Sequence, residues 1–148
     1  MPIRAAATMN PSALPPFTLA YWCVLIMAVL PFFCGLFAKR GGVGKKRSEG
    51  GYDNHNPRAW LAKQEGAAAR ANAAQANSFE ALPFFIGAVI IAHQLGAPQG
   101  RLDMLAIAFV LLRIVYIALY VGDKATLRST VWGVALMVNV AILFSGYR

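Results

Sequence analysis

Charge is scarce in this chain. Only 14% of its 148 residues are Asp, Glu, Lys or Arg, where a soluble domain carries about 25%, and 58% are hydrophobic. That balance excludes an ordinary soluble domain and fits a membrane protein. Cysteine is scarce too, with only Cys23 and Cys34 present. On one helix they would stand about 16 Å apart along its axis, whereas a disulfide needs Cα atoms within about 7 Å. No bridge within a subunit is available, so packing roles are expected. Of the two histidines, His55 has no metal-ligand spacing around it, and no metal is expected. His93 falls on the far side of its helix from the polar residues described below, which suits a structural role. Neither Ser129 nor Cys23 has the His and acid arrangement that nucleophilic catalysis needs.

Four apolar stretches fill most of the chain, and a bilayer core asks for roughly 20 residues per helix. Phe17 to Ala38 holds no charge, Ala71 to Leu95 holds only Glu80, Met104 to Val121 only Arg113, and Thr130 to Tyr147 none. The expected fold is an all-α integral membrane protein, a four-helix bundle with spans near 17–38, 71–95, 104–121 and 129–147, forming one domain over 1–148. No small-x-small cleavage site follows the first span, and Lys39-Arg40 closes it directly, so it reads as a retained anchor.

The formal charge of +8 would suit nucleic acid, but the positions of the charges exclude that partner. Lys39, Arg40, Lys45, Lys46, Arg47, Arg58, Lys63 and Arg70 crowd the connection between the first two spans, with Lys124 and Arg128 between the last two. Only Arg4, Arg101 and Arg148 fall on the opposite side. Such bias places the basic side in the cytoplasm, and both termini away from it. The Lys45-Lys46-Arg47 cluster suits anionic lipid headgroups. The loop 39–56, rich in Gly and charge, reads as mobile. Asn56-Pro57 is a helix start, predicting one helix from Pro57 to Leu95 that projects into the cytoplasm and kinks at Pro83. Small side chains from Ala67 to Ala76 permit close helix packing.

Glu80 and Arg113 stand inside spans, where a charge is expensive and normally faces a partner. Both lie about 14 Å from the cytoplasmic surface at the helical rise per residue. A direct buried pair is the simplest expectation. At about 100° per residue, Arg70, Asn77 and Glu80 share one face of the second helix, and Arg113, Tyr116 and Tyr120 share one face of the third. Arg128, at the mouth of the fourth, sits on that side. These faces are either structural glue or a site for an anionic ligand entering from the cytoplasm.

The stretch "RANAAQANSFEALP" resembles the Arg-x-x-Arg-Ala-x-x-Asn-x-x-Glu-x-x-Pro signature of MAPEG proteins (membrane-associated proteins in eicosanoid and glutathione metabolism). Arg70, Ala74, Asn77, Glu80 and Pro83 match it, and Ala73 replaces its second Arg. "RIVYIALY" resembles the third-helix pattern through Arg113, Tyr116 and Tyr120, followed by Arg128-Ser129, and "YDNHNPR" looks like the bacterial branch. The resemblance implies a homotrimer in a bacterial inner membrane, binding glutathione as co-substrate between subunits near the cytoplasmic face. It also implies conjugation of the thiol to lipophilic electrophiles or reduction of lipid hydroperoxides. By similarity Arg128 stabilises the thiolate, while Arg70, Asn77, Glu80, Arg113, Tyr116 and Tyr120 hold the peptide. Some members of the family are non-catalytic lipid-binding helpers, so a lipid-binding or assembly protein of the same fold is the alternative.

Overall fold

The computed structural model describes residues 17–147, where every regular element is helical. Arg4 and Arg148, which entered the charge argument, lie outside the described residues. Helix α1 runs Leu19–Lys39, α2 Pro57–Leu61, α3 Gly66–Gln94, α4 Gln99–Val121 and α5 Ala125–Leu143, with a 3-10 turn at Arg47–Glu49. The four long helices are each apolar and long enough to cross a membrane.

They pack as a bundle in which α1 lies mainly on α3, and α4 on α5. Lipid tails are as apolar as leucine, so close backbone approach and dispersion, not dehydration, hold such helices together. The sequence supplies small residues where they are needed. Ala71, Ala74, Ala88 and Ala92 of α3, Ala20 of α1 and Ala106 of α4 are buried, and Phe85 stacks on Phe109 at 4.4 Å between α3 and α4. Phe32, Phe33, Leu36, Leu111 and Met137 point outward, as befits a surface solvated by hydrocarbon. Both cysteines are free and buried.

Three expectations need correction. The single helix from Pro57 to Leu95 is broken: α2 ends at Leu61, and α3 restarts at Gly66, whose φ of +56° favours a residue without a Cβ. From Gly66, α3 continues through Pro83 to Gln94. The loop is folded, not open. Trp60 donates from Nε1 to the Gly50 carbonyl at 3.2 Å and packs edge-on against Tyr52, over which the Lys39 ammonium sits at 4.8 Å. A Cβ at Gly51 would collide with the Lys45 carbonyl. Although desolvation pushes the Asp53 carboxyl up, the His55 amide and the Arg47 guanidinium outweigh it and hold it below the usual carboxylate range. The 2.8 Å Arg47–Asp53 pair is therefore present at neutral pH and lost only on strong acidification. The fourth helix ends at Leu143 instead of near 147, because the chain turns back there. A Cβ on Gly146 would come within 2.6 Å of Leu95 Cβ.

At the end of the bundle opposite the loop, polar side chains tie helix starts to their neighbours. The Asp103 carboxylate accepts from the Ala20 amide at 2.9 Å and from Gln99 Nε2 at 2.7 Å, satisfying an orphan donor in the first turn of α1. This polar turn also explains why α4 begins at Gln99, ahead of its apolar run. His93 stacks on Tyr21 at 4.6 Å and shares a 3.3 Å hydrogen bond with Thr18, the structural role anticipated for it. Replacing Asp103 by Ala strands the Ala20 amide and should destabilise the solubilised protein by about 1–3 kcal/mol. Denaturant titration followed by circular dichroism would measure this, and an unchanged midpoint would show the contact to be dispensable.

Candidate functional site

Arg113 is 1% exposed, at the centre of the interface between α3 and α4. Its Nη2 donates to Asn77 Oδ1 at 3.0 Å and to Ser78 Oγ at 3.1 Å; the Ser78 hydroxyl donates in turn to the Ala74 carbonyl at 2.8 Å. Asn77 passes the network outward, its Nδ2 donating to Glu80 Oε2 at 3.3 Å. The expected direct Glu80–Arg113 pair is thus replaced by a relay through Asn77. The reason is local. Asn77 lies one turn before Glu80 on the same face, so its amide can serve the carboxylate and the guanidinium at once, while Glu80 points out of the bundle and is exposed on the subunit.

From Arg113 a second line runs toward the end of the bundle that carries the loop. The guanidinium lies 4.3 Å from the Tyr116 ring centre, Tyr116 meets Tyr120 edge-on at 5.6 Å, and the Arg128 guanidinium lies 4.3 Å from the Tyr120 ring centre. Cation, ring, ring, cation is a favourable alternation, each cation–ring contact being worth about 0.5–2 kcal/mol. It holds Arg128 over the groove instead of letting it swing into water.

Two cavities follow these lines. The outer one, of about 220 Å³, is lined by Asn77, Tyr116, Tyr120, Arg128, Ser129 and Trp132. The inner one, of about 180 Å³, is bounded by Asn77, Glu80, Phe84, Arg113, Trp132 and Asn139, among others. They share Asn77 and Trp132, so together they form one groove across α3, α4 and α5. Six of the seven residues singled out in the sequence line it. The seventh, Arg70, lines neither cavity. Its Nε donates to the Val121 carbonyl at 3.1 Å, and Nη1 lies 3.5 Å from Asp123 Oδ2, where a cation suits the negative end of α4.

The structure adds Ser78, Trp132 and Asn139 to the set. Ser78 was hidden because a serine in a helix usually bonds its own backbone, and here it serves Arg113 as well. Trp132 carries no distinguishing signal, because a tryptophan in a membrane span suits interfacial anchoring or packing equally. Asn139 does carry a signal, an amide in an otherwise apolar span, but an uncharged one. Among the described residues no cluster of three or more His, Cys, Asp and Glu could hold a metal.

Four helices long and apolar enough to cross a membrane, packed around a buried arginine network with a polar groove opening at one end, define a multi-pass helical membrane protein. The MAPEG family model matches residues 19–147, and the chain belongs to that family. Membership carries the general class of membrane glutathione-related transferases and peroxidases. Neither a curated protein nor a solved structure matches the chain.

Asn77 is the joint of this network, since among the described residues it connects Arg113 to Glu80 by hydrogen bonds. Replacing it by Leu should cost about 1.5–3 kcal/mol, the value of a hydrogen bond to a charged group. Chemical denaturation in detergent would show this, whereas a loss below about 0.5 kcal/mol would mean that Ser78 alone holds the guanidinium.

Proposed function

We propose that the protein is a homotrimeric glutathione transferase, with peroxidase activity toward lipid hydroperoxides within its range. The observation that carries this is Arg128, stacked on Tyr120 at the mouth of the groove and making no ion pair with a carboxylate among the described residues. A cation held in place without a counter-charge is suited to an anion supplied by a ligand. A thiol reacts as its thiolate, and a fixed guanidinium favours the ionised form. Arg128 is the thiolate stabiliser on this reading. Asn77, Glu80, Arg113, Tyr116 and Tyr120 bind the peptide, whose carboxylates suit arginine forks. Arg70 contributes by fixing the end of α4 at the mouth.

The trimer has its own physical support. Glu80 is exposed on the isolated subunit roughly halfway through an apolar helix, and a carboxylate facing lipid at that depth is costly. A second copy laid over the groove removes it from lipid and closes the site. The basic loop and the groove mouth lie at one end of the bundle, which suits glutathione entry from the cytoplasm of a bacterial cell with both termini across the inner membrane. The lipophilic co-substrate, already dissolved in the bilayer, reaches the groove sideways.

Mixing the detergent-solubilised protein with glutathione should produce the ultraviolet absorbance band of a thiolate. Arg128→Ala should abolish the band, and Arg128→Lys should keep part of it. Absence of the band in the wild-type protein would overturn the assignment.

A further inference from the structure

Among the described residues, two buried polar side-chain atoms have no hydrogen-bond partner: Arg113 Nε and Asn139 Oδ1. Arg113 and Asn139 are 1% and 2% exposed, and both line the inner cavity together with Glu80. An orphaned buried donor or acceptor costs about 1–3 kcal/mol, so a cavity with one of each on its wall is a poor structural solution and a good receptor. Leu or Val at position 139 would suit α5 better if packing were its purpose. The remaining wall, Phe84, Phe109, Ala135 and Leu136 among it, is apolar and gives no other reason for an amide there.

We infer that Asn139 is a specificity-determining residue, accepting a hydrogen bond from the α-ammonium of the γ-glutamyl end of glutathione. This rests on the glutathione reading above and assigns the direction in which the tripeptide lies. The two ends of glutathione differ in charge. The γ-glutamyl end carries an ammonium beside a carboxylate, whereas the glycyl end carries a carboxylate alone. The inner cavity offers the carboxylate of Glu80 and the Asn139 oxygen as acceptors, and the Arg113 Nε–H as donor. That set is complementary to a zwitterion. The ammonium lies between Glu80 and Asn139, and the adjacent carboxylate lies against Arg113. A glycyl end placed there would meet Glu80 with like charge and leave the Asn139 oxygen without a donor. The space, about 180 Å³, equals roughly six liquid-water volumes, enough for the head group and its first methylene carbons. With the amino-acid head innermost, the cysteinyl thiol is left toward the outer cavity, where Arg128 is.

The test uses glutathione and its desamino analogue, glutaryl-cysteinyl-glycine, titrated into the full-length solubilised protein by calorimetry. Wild-type protein should bind glutathione about tenfold or more tightly than the analogue, as expected for a hydrogen bond to a charged group. Asn139→Leu should cut that preference several-fold, the remainder being held by Glu80, while binding the analogue as before. Asn139→Asp, which keeps an acceptor, should restore it. The ligand-free melting temperature of Asn139→Leu should not fall, because the variant removes an unsatisfied amide. If Leu does not fold, Asn139→Ala serves the same comparison, and its ligand-free melting temperature is the one judged. Equal losses toward both tripeptides, an unchanged preference, or a lowered ligand-free melting temperature would assign Asn139 a structural role and overturn the inference with the glutathione reading intact. Binding of neither tripeptide by the wild-type protein would overturn both.

Discussion

A guanidinium cannot be left bare inside a bundle that sits in hydrocarbon, and Arg113 is the group around which the rest of this protein is arranged. Its burial would cost several kcal/mol if uncompensated. Compensation comes from two oxygens on α3, Asn77 Oδ1 and Ser78 Oγ, and from the Tyr116 ring on its own helix. The two contacts to α3 work in only one register of α3 against α4. Small-residue packing alone would tolerate sliding, because a stripe of alanines looks much the same one turn along. The arginine removes that freedom, and with the register fixed, Tyr120 and Arg128 fall into line at the groove mouth.

The same network separates two kinds of polar group. Arg113, Ser78 and Asn139 are buried and belong to the bundle interior. Glu80 is turned outward and is tied back only through Asn77. A subunit that hides its cation and displays its anion is electrically incomplete at membrane depth. On the reading proposed above, assembly with further copies and capture of a zwitterionic peptide answer the same imbalance.

Much of the fold was legible from hydropathy, because four runs near bilayer length leave few alternatives and the helices must satisfy their own backbone. The ends were less so. The helix expected to begin at Pro57 is interrupted by a left-handed glycine at 66, and a single glycine in a helical pattern does not announce which sign of φ it adopts. The loop looked unstructured by composition, yet Tyr52 and Trp60, far apart in character from their charged surroundings, lock it. For the site, helical periodicity put Asn77, Glu80, Arg113, Tyr116 and Tyr120 on facing surfaces, which the structure brings together. Periodicity gives the face of a helix but not the reach of a side chain, so it could not show that Asn77 would intervene between Glu80 and Arg113, or that Arg70 would turn to the end of α4. Ser78 and Asn139 carry no charge to mark them within their spans, and their importance lies in neutral hydrogen-bonding atoms.

The contact between Asp103 and the Ala20 amide joins residues 83 positions apart in the chain. During synthesis α1 is complete long before α4 has left the ribosome, so its first turn enters the bilayer with that amide facing no permanent acceptor. Asn77 and Ser78 likewise reach the membrane before the arginine they will hold. The order of insertion therefore runs opposite to the order of fixation. The third long helix, carrying Asp103 at one end and Arg113 at its middle, brings the polar partners of both earlier helices in a single element.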